Sequence, residues 1–258
     1  MVKKITFNNG GQISIFVIVA ILLVVAIGLF FAVFKGTPKI SIGEEFEPES
    51  FISQCVRKSA RETIDVMLPQ GGFVNPSDYK IYNDVKATYL CKNINYYDPC
   101  VHQHPLYITE LEQEIKGDIQ ENIEGCFMTL QSELDKRNYQ ISGERSFHTE
   151  VVLKPGKVEV TVFREFSLSK NNVEKRFTSF STSVRSPLYD IALVVQEIIR
   201  QEAQFCYFEN LGFSLLYNDF DIKKFSMSDS TKIYTIKDKK SGKEMNMAIR
   251  GCAIPAGF

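Results

Sequence analysis

The chain has no tryptophan, only three histidines and almost no net charge. Its 30 Lys and Arg residues are balanced by 31 Asp and Glu residues, so the formal net charge is −1. A surface that binds nucleic acid normally needs a clustered excess of basic residues, and this balance therefore argues against a nucleic-acid partner. With so few histidines, any Ser/His/Asp arrangement would have to use His102, His104 or His148.

Motifs for common catalytic and phosphate-binding sites are missing as well. The sequence has no G-x-S-x-G nucleophile elbow, no Walker A motif and no G-x-G-x-x-G loop. Asn75 is followed by Pro76, which blocks the Asn-Pro-Ser sequence as an acceptor for N-glycosylation. We therefore predict a protein that is not an enzyme and that needs no cofactor or metal.

A long stretch without charge lies near the N-terminus. Residues 13–34 contain no charged side chain, and a helix of this length, rising about 1.5 Å per residue, crosses the roughly 30 Å apolar core of a bilayer. We predict a single transmembrane helix over residues 12–35. The stretch is too long for the core of a cleaved secretory signal, and a lipoprotein signal would need a cysteine closer than Cys55. An uncleaved signal anchor and a prepilin-type leader remain.

The residues that open this stretch resemble a known leader. Gly11-Gln12-Ile13-Ser14-Ile15-Phe16 is similar to the class III signal peptides of archaeal type IV pilins and archaellins, and the resemblance ends near Lys35. It implies that a prepilin-type peptidase cuts between Gly11 and Gln12, and that the helix packs against other pilin-like subunits. Members of this family usually have a basic residue before the glycine and often a glutamate at the fifth mature position. This chain has Gly10 and Phe16 there.

Three later segments carry a second resemblance. Phe51-Ile52-Ser53-Gln54-Cys55, Gln70-Gly71-Gly72-Phe73 and Cys126 are similar to a group of uncharacterised membrane-anchored proteins of small-genome archaea. This resemblance spans most of the chain and implies an anchored surface protein. It implies no particular activity.

Cysteine usage predicts on which side of the membrane the bulk of the chain lies. Lys3 and Lys4 flank one end of the apolar stretch, and Lys35 and Lys39 flank the other, so the positive-inside rule gives no orientation. The chain has six cysteines, all after the apolar stretch, and an even set of this kind is typical of disulfides in an oxidising compartment. We predict a single-pass protein of the cell membrane, held by the lipid bilayer, with its C-terminal domain outside.

The predicted positions of the cysteines suggest how they pair. Two lie on the apolar stripes of predicted helices, two bracket a short polar loop, and the last two would join a helix to the final strand. Six cysteines allow many pairings, and some of them could instead be small buried apolar residues. The hypothetical pairs are Cys55 with Cys126, Cys91 with Cys100, and Cys206 with Cys252.

A zinc site is an alternative role for one group of these residues. Cys91, Cys100, His102 and His104 are the residue types of a tetrahedral zinc site. Their spacing differs from that of zinc fingers, because the cysteines are far apart and a single residue separates the histidines. A disulfide-closed surface loop with solvated histidines is the interpretation that we favour.

Hydrophobic periodicity predicts an α+β ectodomain stapled by disulfides. It places helices over residues 48–68, 106–135 and 187–211 and extended structure over 79–90 and 177–184. β-hairpins are predicted around Pro155-Gly156, a pair that suits a type II turn, and around Lys240-Ser241-Gly242. The predicted organisation is a leader (1–11), a transmembrane helix (12–35), a linker (36–47), a helical part with a β insertion (48–136) and a β-rich part with one long helix (137–258).

Together these features predict a membrane-anchored, pilin-like surface protein with a non-catalytic structural or binding ectodomain. The alternative is an uncleaved single-pass accessory or receptor subunit of an envelope, adhesion or secretion complex. An envelope enzyme is a third class, and no motif in the chain indicates it.

Overall fold

A computed structural model describes residues 46–252, together with Val19 and residues 22–24, which are helical. Within these described ranges, no helix is both long and apolar enough to cross a bilayer. The predicted leader, most of the predicted transmembrane segment and nearly all of the predicted linker lie outside them. The chain divides into two units, residues 1–46 and residues 47–258.

The second unit confirms the predicted α+β class and the presence of disulfides. Its helices are α1 (Pro48–Met67), α2 (Tyr107–Lys136), α3 (Leu188–Phe205) and α4 (Asn210–Leu216), and a 3-10 turn follows α1 at Leu68–Gln70. Its strands are β1 (Tyr79–Tyr82), β2 (Val85–Lys92), β3 (Val101–His102), β4 (Gln140–Gly143), β5 (His148–Lys154), β6 (Lys157–Lys170), β7 (Val173–Arg185), β8 (Phe220–Ser226), β9 (Thr231–Asp238) and β10 (Glu244–Arg250).

The strands form two separate sheets. Sheet A has the order β1-β2-β10-β9-β8, and β3 also pairs with β2. In sheet B the long strand β6 pairs with β7 along one side and with β4 and β5 along the other. Only the β2–β10 pairing of these described strands is parallel. Sheet A therefore ends at β8 on one side and at β1 and β3 on the other, and sheet B ends at β7 on one side and at β4 and β5 on the other.

Helix α3 connects the two sheets, because it contacts β9, β10 and β2 of sheet A as well as β5 and β6 of sheet B. Its apolar residues recur every three or four positions, so they line the buried side of the helix. Ile191, Val195, Ile198 and Ile199 are all buried there. Helix α1 packs on β7 and α2 packs on β5, so the helices cover one face of sheet B, whereas every second residue of β5 is exposed on the other face.

The prediction of one helix over residues 187–211 is wrong. Helix α3 ends at Phe205, because Cys206 takes the left-handed conformation (φ 58°) that terminates a helix. Gly212, where the sequence predicted the helix end, lies inside α4 instead. Cys206 is bonded to Cys252, which also has a positive φ of 50°.

The extended segment predicted over residues 79–90 is a hairpin of two strands. Its turn is Asn83-Asp84, with φ values of 47° and 63°. Positive φ at both central residues is the signature of the tight turn that matches the twist of paired strands. Strands β3, β4 and β8 were not predicted, because each is short or irregular in its hydrophobic pattern.

The Gly71-Gly72 pair turns the chain sharply after α1. Both residues have positive φ, 75° and 92°. The hydroxyl of the fully buried Tyr107 donates a hydrogen bond to the Gly71 carbonyl at 2.9 Å. A Cβ at Gly72 would collide with the side chains of Leu111 and Tyr107, so only glycine fits this position.

Replacing Gly72 by Ala should lower the free energy of unfolding by at least about 1–3 kcal/mol, because the backbone conformation is unfavourable for alanine and the methyl group collides with α2. Gly117→Ala is the matched control. Gly117 lies within α2 with no neighbouring atom near its would-be Cβ, so this change should raise the same quantity by roughly 0.5–1 kcal/mol. Urea denaturation with intact disulfides measures the free energy of unfolding of both variants. Changes of the same sign in the two variants would contradict the special role of Gly72.

Candidate binding surface

The structure pairs the six cysteines as the sequence hypothesis did. Cys55–Cys126 joins α1 to α2. Cys91–Cys100 closes the loop between β2 and β3, and Cys206–Cys252 joins the end of α3 to the residues after β10. No cysteine is free, and a disulfide sulfur does not supply the thiolate that zinc requires. The predicted cleavage residues Gly11 and Gln12 lie outside the described part of the chain.

His104 and His148 pack against neighbouring side chains of the fold. His104 Nδ1 lies 2.5 Å from Glu110 Oε2, and its ring lies 4.6 Å from the ring of Phe73. Burial and the neighbouring His104 lower the pKa of His102. His148 is on β5, where it stacks on Phe163. In residues 46–252, no group of three or more His, Cys, Asp or Glu side chains could hold a metal ion.

Helix α4 directs its leucines toward solvent. Leu211, Leu215 and Leu216 are 69%, 82% and 82% exposed, and Tyr217, which follows the helix, is 56% exposed. A surface helix normally turns its apolar side chains toward the core. None of the residues of α4 is buried. Sequence reasoning missed this surface, because it assigned part of the segment to the end of a longer amphipathic helix.

The polar side chains of α4 explain this orientation. Asn210 Nδ2 donates to the Ile222 carbonyl at 3.0 Å, and the Ile222 amide donates to Ser214 Oγ at 3.2 Å. Ile222 belongs to β8, which lies at the edge of sheet A. The open backbone groups of an edge strand would otherwise be available to another strand. Because Asn210 and Ser214 are one turn apart, they satisfy both groups, and the leucines that follow each of them face outward.

Aromatic packing holds α4 in this position. The ring of the buried Phe208 lies 5.3 Å from that of Phe213 and 5.9 Å from that of Tyr234 on β9. Phe213 in turn stacks on Tyr217, with 4.4 Å between ring centroids. These ring contacts therefore fix the position of the helix that carries the outward leucines.

The start of α4 is capped by Glu209. Its carboxylate accepts from the amides of Leu211 and Gly212, at 3.2 and 3.4 Å. The Tyr207 hydroxyl donates to the same carboxylate, and these hydrogen bonds lower the pKa of Glu209. A capped helix start satisfies amides that have no partner inside the helix.

A buried polar cluster lies at the end of α3. Glu202 is 2% exposed and accepts from Lys232 Nζ at 2.6 Å and from the Tyr234 hydroxyl. Lys232 Nζ also donates to the Cys206 carbonyl at 2.6 Å. Burial and the neighbouring Glu202 raise the pKa of Tyr234, so its hydroxyl keeps its proton at neutral pH. The cluster joins α3 to β9 beside the Cys206–Cys252 bridge, and the Lys232 side chain is 19% exposed.

A groove of about 1500 Å³ runs between α3, α4 and the turn of the β5–β6 hairpin. It is larger than the roughly 300–1,000 Å³ of a typical small-molecule site and suits a segment of a macromolecule. Its apolar lining includes Leu193, Val194, Leu216 and Tyr217. We call Leu193, Leu211, Leu215, Leu216 and Tyr217 the leucine patch. Three of them line the groove, and Leu211 and Leu215 are exposed on α4 outside its lining.

Charges of both signs surround the groove. Glu197 and Arg200 form an ion pair at 2.7 Å, and Asp190 accepts from the Gly156 amide at 2.9 Å. The other charged residues of the lining are Lys157, Arg185, Asp219, Asp238, Lys240 and Lys243.

Comparison of the chain with protein-family models, with curated proteins and with solved structures finds no match.

Leu215→Ser should change the free energy of unfolding by less than about 0.5 kcal/mol, because this side chain loses almost no contact area. Phe213→Ala, two residues earlier on the inward side, should cost about 1–3 kcal/mol, somewhat less than for a fully buried phenylalanine, because it removes contacts with Phe208 and Tyr217. Urea denaturation of both variants measures the difference. A Leu215→Ser variant as unstable as Phe213→Ala would contradict the orientation of α4.

Proposed function

We propose that this chain is a membrane-anchored, pilin-like surface protein whose ectodomain binds a partner outside the cell through the leucine patch and carries no catalytic site. The observation that carries the proposal is the outward face of α4, where three leucines meet solvent while the polar side chains cover β8. A contiguous apolar surface on a helix whose position is fixed by its own contacts is typical of an interaction site.

The cysteines support the external location. The structure bonds all six in pairs, and structural disulfides persist where the environment is oxidising. The uncharged stretch over residues 13–34 supports the anchor, because its length suits a bilayer.

An uncleaved accessory or receptor subunit is the second candidate function. The residues that favour it are Gly10 and Phe16, because they replace the basic residue and the glutamate found in many pilin leaders. In this case the same surface would bind another component of an envelope complex, and residues 1–11 would remain on the chain.

Intact-mass measurement of membrane-extracted protein separates these two functions. The pilin-like function predicts a mature chain that starts at Gln12, because a prepilin-type peptidase would cut after Gly11. Gly11→Leu should then retain the leader, whereas the neighbouring Gly10→Ala should be cleaved like the wild type. A wild-type chain that still carries Met1 or Val2 would favour the accessory subunit.

Disulfide mapping in intact cells tests the external location. Peptides of protein isolated under non-reducing conditions should contain the three bridges, and a membrane-impermeant thiol reagent should label the cysteines only after a membrane-impermeant reductant has acted. The control is a cytoplasmic protein with known free thiols, which should stay unlabelled. Six free thiols in the isolated chain would contradict the proposal.

A further inference from the structure

We propose that the leucine patch is a self-association site, in which a second copy of this chain packs its own leucine patch against the first across a two-fold axis. The inference rests on the proposed function, because it names the partner of the same surface. In a two-fold contact each copy uses the same residues, so a single patch supplies both sides of the interface.

The exposed apolar area supplies a large part of one side of a protein interface. The five side chains of the leucine patch are between 45% and 82% exposed. With about 120 Å² for each leucine side chain and about 200 Å² for Tyr217, they present on the order of 450 Å², more than half of the roughly 800 Å² that each partner buries in a stable complex. Phe205 and Tyr207, in the connection to α4, are more than half exposed as well and extend the apolar surface.

Charge distinguishes a second copy from a lipid surface. A helix that lies on an anionic bilayer is usually surrounded by lysine and arginine. Around the groove, five basic residues are opposed by four acidic ones: Lys157, Arg185, Arg200, Lys240 and Lys243 against Asp190, Glu197, Asp219 and Asp238. A balanced rim is poorly suited to an anionic membrane. Across a two-fold axis, however, acidic groups of one copy can face basic groups of the other.

The geometry of α4 favours helix packing as the mode of contact. Asn210 and Ser214 already bind the edge of β8 at Ile222, so a second copy cannot add a strand at that point. Leu211 and Leu215 are one helical turn apart and form a ridge that can enter the groove of a facing helix. Anchoring in one membrane would also raise the local concentration of copies.

The test compares three full-length proteins in detergent solution by light scattering across a concentration series. The wild type should be dimeric, and Leu215→Lys should weaken the dimer at least tenfold, because it places a charge in an apolar contact. Met128→Lys is the matched control: Met128 is 64% exposed on the surface of α2, and the variant should dimerise like the wild type.

Three results would overturn the inference. A wild type that stays monomeric over the whole series would exclude the dimer. A Leu215→Lys variant that dimerises like the wild type would place self-association elsewhere, including at the N-terminal helix. A Met128→Lys variant that loses the dimer together with Leu215→Lys would show a general effect of added charge. In each case the leader and disulfide measurements still decide the proposed function separately.

A fluorescence experiment excludes the bilayer as the occupant. Because the chain has no tryptophan, Leu215→Trp introduces a single fluorophore in the leucine patch. In vesicles of anionic lipid, its emission should shift to the blue as the protein-to-lipid ratio rises and should resist quenching by brominated lipids. Strong quenching that is independent of protein density would assign the patch to the membrane and overturn self-association.

Discussion

The burial of α3 between two sheets is the constraint on which the rest of this structure depends. Because the carboxylate of Glu202 is buried, it needs charged or hydrogen-bonding partners, and Lys232 and Tyr234 supply them from β9. Lys232 also reaches the Cys206 carbonyl, so the point where α3 ends is fixed to sheet A. The position of α4 follows from this, since only three residues separate it from Cys206.

The helices also contact three strands at the edges of the two sheets. Ser214 accepts from β8; Glu112 of α2 accepts from the amide of Leu153 on β5 at 2.9 Å, and Ser53 of α1 donates to the Ser181 carbonyl on β7 at 3.3 Å. Each contact occupies a backbone group that another chain could otherwise pair with. At these three points an added strand would have to displace a helix side chain, whereas the exposed side chains of α4 are open to contact.

Local sequence was sufficient to predict α1 and α2, because their apolar stripes repeat regularly. It was also sufficient to predict the Pro155-Gly156 turn, where Gly156 has the expected positive φ of 71°. It was insufficient where a distant residue decides the conformation. Cys206 ends α3 in a left-handed conformation beside Cys252, 46 residues later in the chain. The leucine patch was missed for a related reason: the side of α4 that faces inward depends on the edge of β8, which no local pattern reveals.

The orientation of α4 about its own axis determines both the exposure of its leucines and the protection of the β8 edge. Successive residues of a helix are separated by about 100°, so Leu211 and Leu215 are each turned by this angle from Asn210 and Ser214. While the polar pair remains bound to Ile222, the leucines cannot reach the core. Turning them inward would break both hydrogen bonds and expose the β8 edge. The apolar surface and the protected edge are therefore two consequences of one orientation, which gives the outward leucines a physical cause independent of any partner.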